Sequence, residues 1–194
     1  MPRNKTFDES CLIKDALHLF WKYGFHRTSI QNLVQNLGVN RASLYDTYGD
    51  KEGLFIKCFD IYKNGKIDLV KEIFNKEEDP KKGLNTLFTV LLDTICDDPE
   101  KKGEFISNTL SESMKTNGMI HKYLQKSKDE AFNILESYLL NGVKKGYLQK
   151  DSNIKGMTYS IISTAIGSMV LSKIGSPNQK LKENLCNNLK LILS

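Results

Sequence analysis

The sequence predicts an all-α protein of about nine helices. Three observations predict it. Apolar residues recur at helical spacing along almost the whole chain. Ser, Thr, Asn or Asp precede these stretches and Gly or Pro follows them. No alternating apolar–polar run of useful strand length occurs.

The elements follow in order. Leu12, Ala16, Leu19, Phe20 and Tyr23 make the stripe of a first helix, which Gly24 stops. Thr28-Ser29-Ile30-Gln31 reads as a capping box, with the Thr28 oxygen on the third amide and Gln31 reaching back. Ile30, Leu33, Val34 and Leu37 then stripe a short second helix that Gly38 ends. Asn40 caps a third helix through Leu44 and Tyr45, broken at Gly49. Asp50 caps a fourth, with Leu54, Phe55, Cys58 and Tyr62 on one face, running to about Asn75. Residues 76–83 carry no apolar side chain except Pro80, which places a domain boundary there.

Leu84, Leu87, Phe88, Leu91, Leu92 and Ile95 form a fifth helix, and Asp97-Asp98-Pro99 ends it. A sixth covers about 104–115, with Phe105, Ile106, Thr109, Leu110 and Ser113 inward. The seventh covers about 118–140 and buries Ile120, Tyr123, Leu124, Ala131, Leu135, Tyr138 and Leu139; Gly142 and Gly146 punctuate the turn after it. The eighth, about 154–173, is apolar nearly all round and is therefore expected to be buried on all faces. Ser176-Pro177-Asn178-Gln179 is a second capping box, opening a ninth helix striped by Leu181, Leu185, Leu189 and Ile192.

Composition narrows the function. With 194 residues, 40% hydrophobic and 26% charged, the chain is a globular protein with enough length for a core. No secretory signal is expected, because MPRNKTFDES has no apolar run after its charges. The longest uncharged stretch, Gly156 to Ser172, is shorter than the roughly 20 apolar residues of a membrane span and holds four Ser and two Thr, so no membrane partner is expected. Cys11, Cys58, Cys96 and Cys186 lack metal-ligand spacing and suit a reducing, cytoplasmic setting. Cys96 is a candidate electrophile sensor, but Asp97 and Asp98 would raise its pKa. His18, His26 and His121 are isolated; with no nucleophilic triad, phosphate loop or metal motif, no catalytic residue, metal or cofactor is expected, and the chain is not read as an enzyme. Net charge is +5, and all three Arg, at 3, 27 and 41, lie at the N-terminal end. Arg is the side chain that reads phosphates and guanine edges by a planar fork.

The second and third helices carry the sharpest signal. Leu33 and Leu37 supply a scaffold face, Gly38 a tight turn, and Val39 and Leu44 the packing residues of a helix-turn-helix. Arg41, Ala42, Ser43, Tyr45 and Thr47 are then free to point outward, as a groove-reading helix requires.

Those residues, with Ala16-Leu17-His18-Leu19-Phe20, Gly24-Phe25, Thr28-Ser29-Ile30, Leu37-Gly38-Val39, Ser43-Leu44-Tyr45 and Lys51-Glu52-Gly53-Leu54-Phe55, resemble the TetR family of bacterial transcriptional regulators. The resemblance runs from about Ala16 to Phe59. Gly49-Asp50 and Asp46-Thr47 depart from the family's commoner residues, which bears on the operator and not on the fold. It implies a helix-turn-helix DNA-binding domain at 1–58, a linking helix at about 51–75, and a helical effector-binding and dimerisation domain at 76–194. It further implies that Thr28 and Ser29 bind phosphate, that Asn40, Arg41, Ala42 and Ser43 contact bases and phosphates, and that Tyr45 and Lys51 clamp phosphate. Arg41 is the expected guanine reader, whereas Asp46 is expected to face solvent.

By the same resemblance the eighth and ninth helices pair with their copies in a homodimer, through Ser163, Gly167, Leu171, Leu181, Leu185, Leu189 and Ile192. A small amphipathic effector would be lined by Phe88, Leu92, Thr109, Tyr123, Phe132, Tyr138 and Tyr159. The partners implied are a pseudo-palindromic double-stranded operator, a second copy of the chain and that effector, and the function a repressor released by it. The alternative is a dimeric helical adaptor or DNA-architectural protein without an effector.

Overall fold

The computed structural model describes residues 9–100, 102–113, 118–174 and 178–194. Among them are nine α-helices and no strand: α1 Glu9–Tyr23, α2 Ile30–Leu37, α3 Arg41–Tyr48, α4 Lys51–Lys76, α5 Pro80–Cys96, α6 Phe105–Ser113, α7 Met119–Lys144, α8 Ile154–Lys173 and α9 Asn178–Ile192. The chain forms two compact units. The first holds the described residues of Met1–Gly65 and Asn108–Leu124; the second holds those of Lys66–Ser107 and Gln125–Ser194. The units thus part inside α4, ahead of the charged 76–83 stretch. That stretch is mostly helical: α4 runs through Lys76, Asp79 caps α5 by accepting from Lys81 N, and Pro80 takes the first turn, where its missing N–H costs nothing.

In the first unit, α1 packs on α2 and α2 on α3. Leu12, Ile13, Ala16 and Phe20 of α1 are buried with Leu33, Leu44 and, from α4, Leu54, Phe55, Cys58 and Phe59. Phe20 and Phe25 both meet Phe55 edge to face at 5.1 Å. The fully buried rings of Phe20 and Phe55 each stabilise the fold by about 1.5–3 kcal/mol. Tyr23, expected inward, is half exposed, although Phe20 in the same last turn is buried.

In the second unit, α5, α8 and α9 pack together. Leu84, Leu87, Phe88 and Leu92 of α5 meet Leu135, Tyr138 and Leu139 of α7, Ile161 of α8, and Leu181, Leu185, Leu189 and Leu193. Two expectations about α7 change. Ala131 is exposed, and α7 continues past Leu140 to Lys144 with Gly142 buried inside it. The Pro80 ring lies where a Gly142 side chain would stand, so this glycine serves close approach and not a turn.

The largest change concerns α8. Only Thr158 and Ile161 of it are buried. Tyr159, Ile166, Val170 and Leu171, with Ile174 just beyond, are exposed. The helix is apolar all round, but the chain covers one side only. By length and composition alone it is apolar enough to cross a membrane, a test that core helices of soluble proteins also pass. Of the Ser176–Gln179 capping box, Ser176 and Pro177 lie outside the described residues, and α9 opens at Asn178.

Candidate nucleic-acid interface

The turn between α1 and α2 comes first. Gly24 closes α1 with φ 81°, its N–H donating to Phe20 O at 2.8 Å. That left-handed conformation favours glycine. Thr28 is buried and its hydroxyl donates to Gly24 O at 2.7 Å. The cap of α2 is therefore Ser29, whose Oγ accepts from Asn32 N at 3.1 Å and donates to Asn32 Oδ1 at 2.8 Å. The expected box on Thr28 moves one residue along. The hydroxyl of Thr28 is thus engaged inside the turn, so of the two groups expected to meet phosphate there its side chain is directed at Gly24 O. Ser29 remains exposed at the N-terminus of α2.

Gly38 turns the chain with φ 65° between α2 and α3. Asn40 then caps α3, its Oδ1 accepting from Ser43 N at 2.7 Å. Only Leu44 of α3 is buried. Arg41, Ala42 and Asp46 are exposed, and Ser43, Tyr45 and Thr47 are half-buried. One turn joins the first two functional side chains. Arg41 Nη2 donates to the Tyr45 hydroxyl at 3.2 Å, with the guanidinium carbon 5.4 Å from the ring centroid. The contact is worth about 0.5–1 kcal/mol at an exposed site. It holds the guanidinium beside Tyr45 on the exposed side of α3, and a guanidinium carries further N–H donors besides the one used here.

Lys51 comes next. Its Nζ donates to Phe25 O at 3.0 Å and lies 4.1 Å from the centre of the Phe25 ring. Burial lowers its pKa, and Glu112 and Glu52 oppose that shift. The ammonium reaches the α1–α2 turn, so Lys51 helps to hold that turn. The residue that sequence reasoning missed is Glu112 on α6. Its Oε2 accepts from Phe25 N at 2.8 Å, across 87 positions of sequence. No local pattern announces such a contact.

The expected effector residues fall in both units. Thr109 and Tyr123 belong to the first unit, where the Tyr123 hydroxyl donates to Asp60. Phe88, Leu92, Phe132, Tyr138 and Tyr159 belong to the second. There Phe88, Leu92 and Tyr138 are core, and the exposed Tyr159 meets Phe132 edge to face at 4.7 Å. A residue not foreseen is Thr158: it is fully buried, one turn from Ile161, and its hydroxyl has no hydrogen-bond partner.

The expected dimer residues divide similarly. Ser163, Gly167 and Leu171 are exposed on α8. Leu181, Leu185 and Leu189 are buried in the chain's own core, and Ile192 packs against it. The leucine stripe of α9 thus faces inward, which corrects its expected role towards a partner.

Comparison with known proteins agrees with this architecture. Residues 12–58 match the family model "Bacterial regulatory proteins, tetR family", and residues 80–186 match "Tetracyclin repressor-like, C-terminal domain". YezE of Bacillus subtilis, an uncharacterized HTH-type transcriptional regulator, is 25% identical over 99% of this chain and 100% of its own length. The HTH-type transcriptional repressor ComR of Escherichia coli is 23% identical over 97% of this chain and 90% of its own. Among solved structures, a cysteine mutant of the TetR family regulator CifR, complexed with 26-bp operator DNA, superposes with TM-score 0.86 at 20% identity, covering 97% of this chain and 98% of that one. FadR of Bacillus subtilis, in complex with stearoyl-CoA, does so with TM-score 0.78 at 15% identity, covering 96% and 98%. At those identities the superpositions speak for the fold. The two family models together span the helix-turn-helix and most of the remaining helices, so the chain belongs to the tetR family of bacterial regulatory proteins and is a DNA-binding transcriptional regulator, not an enzyme.

Proposed function

We propose that the chain is a cytoplasmic homodimeric repressor that reads a pseudo-palindromic operator through Arg41 and leaves it when a small amphipathic effector binds. The observation that carries this reading is the outward face of α3: Asn40 caps it, Leu44 anchors it, and Tyr45 holds the Arg41 guanidinium on its exposed side. In this reading residues 1–58 bind DNA and 76–194 bind the effector and the partner copy. Ser29, Asn40, Ala42, Ser43 and Thr47 add positioning contacts to phosphate and bases.

The second copy pairs through the outer face of α8. Tyr159, Ser163, Ile166, Val170 and Ile174 fall on one stripe of exposed residues, interrupted by small side chains that permit close approach. A twofold pair spaces two recognition helices for half-sites about 34–36 Å apart. Support for an effector comes from the unpartnered Thr158 hydroxyl in the second unit, a buried donor that a ligand's polar group would satisfy. FadR in complex with stearoyl-CoA shares the fold, which points to an acyl thioester or similar amphiphile as the first class to screen. The effector shifts the operator-bound state only by its differential affinity for the two states.

The test uses labelled duplexes tiled across the region upstream of the protein's own gene, with fluorescence anisotropy at two salt concentrations and Arg41→Ala as control. One tile bound tightly and lost in the variant supports the reading. Uniform, salt-sensitive binding indifferent to Arg41 would show only the phosphate term and reject sequence reading by α3.

A further inference from the structure

The first unit is not complete at residue 59. It includes the described residues of Asn108–Leu124, which lie in the region matched by the C-terminal family model and not by the DNA-binding one. Two contacts tie this segment to the helix-turn-helix. Tyr123 donates its hydroxyl to Asp60 of α4 and meets Phe59 edge to face at 5.9 Å. Glu112 accepts from Phe25 N at 2.8 Å.

The second contact sits at a crowded point. A side chain on Gly24 would land on the Glu112 carboxylate, so the glycine leaves room for it as well as supplying the turn. Lys51 donates to the carbonyl of the same residue whose N–H Glu112 accepts. Phe25 is thereby held from both ends of its peptide units, by α4 through the carbonyl and by α6 through the amide. Thr28 fixes Gly24 O in the same turn, and Ser29, the cap of α2, follows directly. The turn that delivers α2 is fixed by side chains from α4 and α6 as well as by its own Thr28.

We propose that Glu112 is a positioning residue for operator reading: through the Phe25 amide it sets the turn from which α2 and the recognition helix start. This rests on the reading of α2 and α3 as the operator-contacting pair. Hydrogen bonding is the operative term. A carboxamide at 112 still accepts from Phe25 N, whereas Asp keeps the charge but is one methylene too short to reach.

The test uses the full chain as wild type, Glu112→Ala, Glu112→Gln and Glu112→Asp, with an operator duplex selected by the wild type from a random-sequence library. Amide hydrogen exchange at Phe25 reads the contact, and anisotropy reads operator affinity. The Ala and Asp variants are expected to speed Phe25 exchange and to weaken operator binding about tenfold, with binding to unrelated duplexes unchanged; Gln is expected to restore both to within about threefold. Should the Ala variant fail to fold, the Asp and Gln variants carry the comparison. Wild-type affinity in a variant whose Phe25 exchange has risen would overturn the positioning role. Unchanged exchange in the Ala and Asp variants would overturn the contact itself. A wild type that selects no sequence would reject operator reading, and with it this proposal, in an arm that contains no Glu112 variant.

Discussion

Tyr138 lies flat on Phe74, with ring centroids 3.8 Å apart and planes 6° from parallel, and donates its hydroxyl to Glu77 O at 2.6 Å. The carbonyl of Asp79 is within 3.2 Å of the same hydroxyl. One side chain of α7 therefore ties together the end of α4 and the cap of α5. Gly83, one turn into α5, leaves the space in which that hydroxyl sits.

A double-mutant cycle follows from this geometry. Gly83→Ala places a methyl on the Tyr138 hydroxyl and is expected to destabilise by about 1–3 kcal/mol. Tyr138→Phe removes the hydroxyl and costs about 1 kcal/mol alone. Urea unfolding of the double variant should show less than the sum, because phenylalanine removes the atom nearest the methyl and leaves the ring carbon at 3.0 Å. Additive losses would mean that the two positions do not meet.

Operator discrimination at α3 is expected to depend on the fork of Arg41. Arg41→Ala should lose about 1–3 kcal/mol on the selected operator, and Arg41→Lys should recover little of it, since an ammonium cannot make the bidentate contact. Tyr45→Phe keeps the ring but removes the acceptor of the 3.2 Å bond. Its signature should be relaxed preference at one base pair, measured on single-base operator variants. Equal losses at every base pair would instead identify Tyr45 as a phosphate ligand only.

Much of the fold was legible because its code is local. Gly24, Gly38 and Gly49 stop helices where the stripes end, and each has positive φ. The cap of α3 at Asn40 also lay in the sequence. Thr28 and Ser29 show where such reading stops. Either hydroxyl suits a cap, and the tertiary burial of Thr28 decides between them. The periodicity of α8 and α9 identified both helices but not their facings: Leu181, Leu185 and Leu189 turn inward, while much of the apolar face of α8 stays exposed. Glu112 carries no pattern at all, because its partner Phe25 is remote in sequence.

The thiol of Cys58 gives an alkaline prediction. Burial pushes its pKa from 9.0 up to about 12, and its Sγ lies 3.7 Å from Ile13 O. The folded state therefore keeps a proton that the unfolded state loses above pH 9. Its stabilising contribution is whole below that pH and falls as pH rises towards 12. Between pH 8 and pH 10 the loss from this group is about 1.4 kcal/mol. Urea midpoints of Cys58→Ala should fall less over that interval than those of the wild type. Parallel falls would assign the alkaline limb to other groups, Tyr48 among them, whose pKa burial also raises to about 12.

Pairing through α8 is checked by charge. Val170→Glu places a carboxylate on the exposed stripe, at a side chain that is about half exposed in the single chain. Sedimentation velocity should show a shift to monomer with the far-ultraviolet spectrum unchanged, and operator affinity should fall with it. A variant that still sediments as a dimer would remove this face from the interface.

The contact of Glu112 with Phe25 also sets an order of events in synthesis. A ribosome that has released residues up to 65 has supplied α1 to α3 and half of α4, yet not the carboxylate that holds their first turn. The DNA-reading unit is finished only when the chain has emerged as far as Leu124. A chimera that transplants residues 12–58 onto another regulator's body would carry the reading helices and leave one of their fastenings behind.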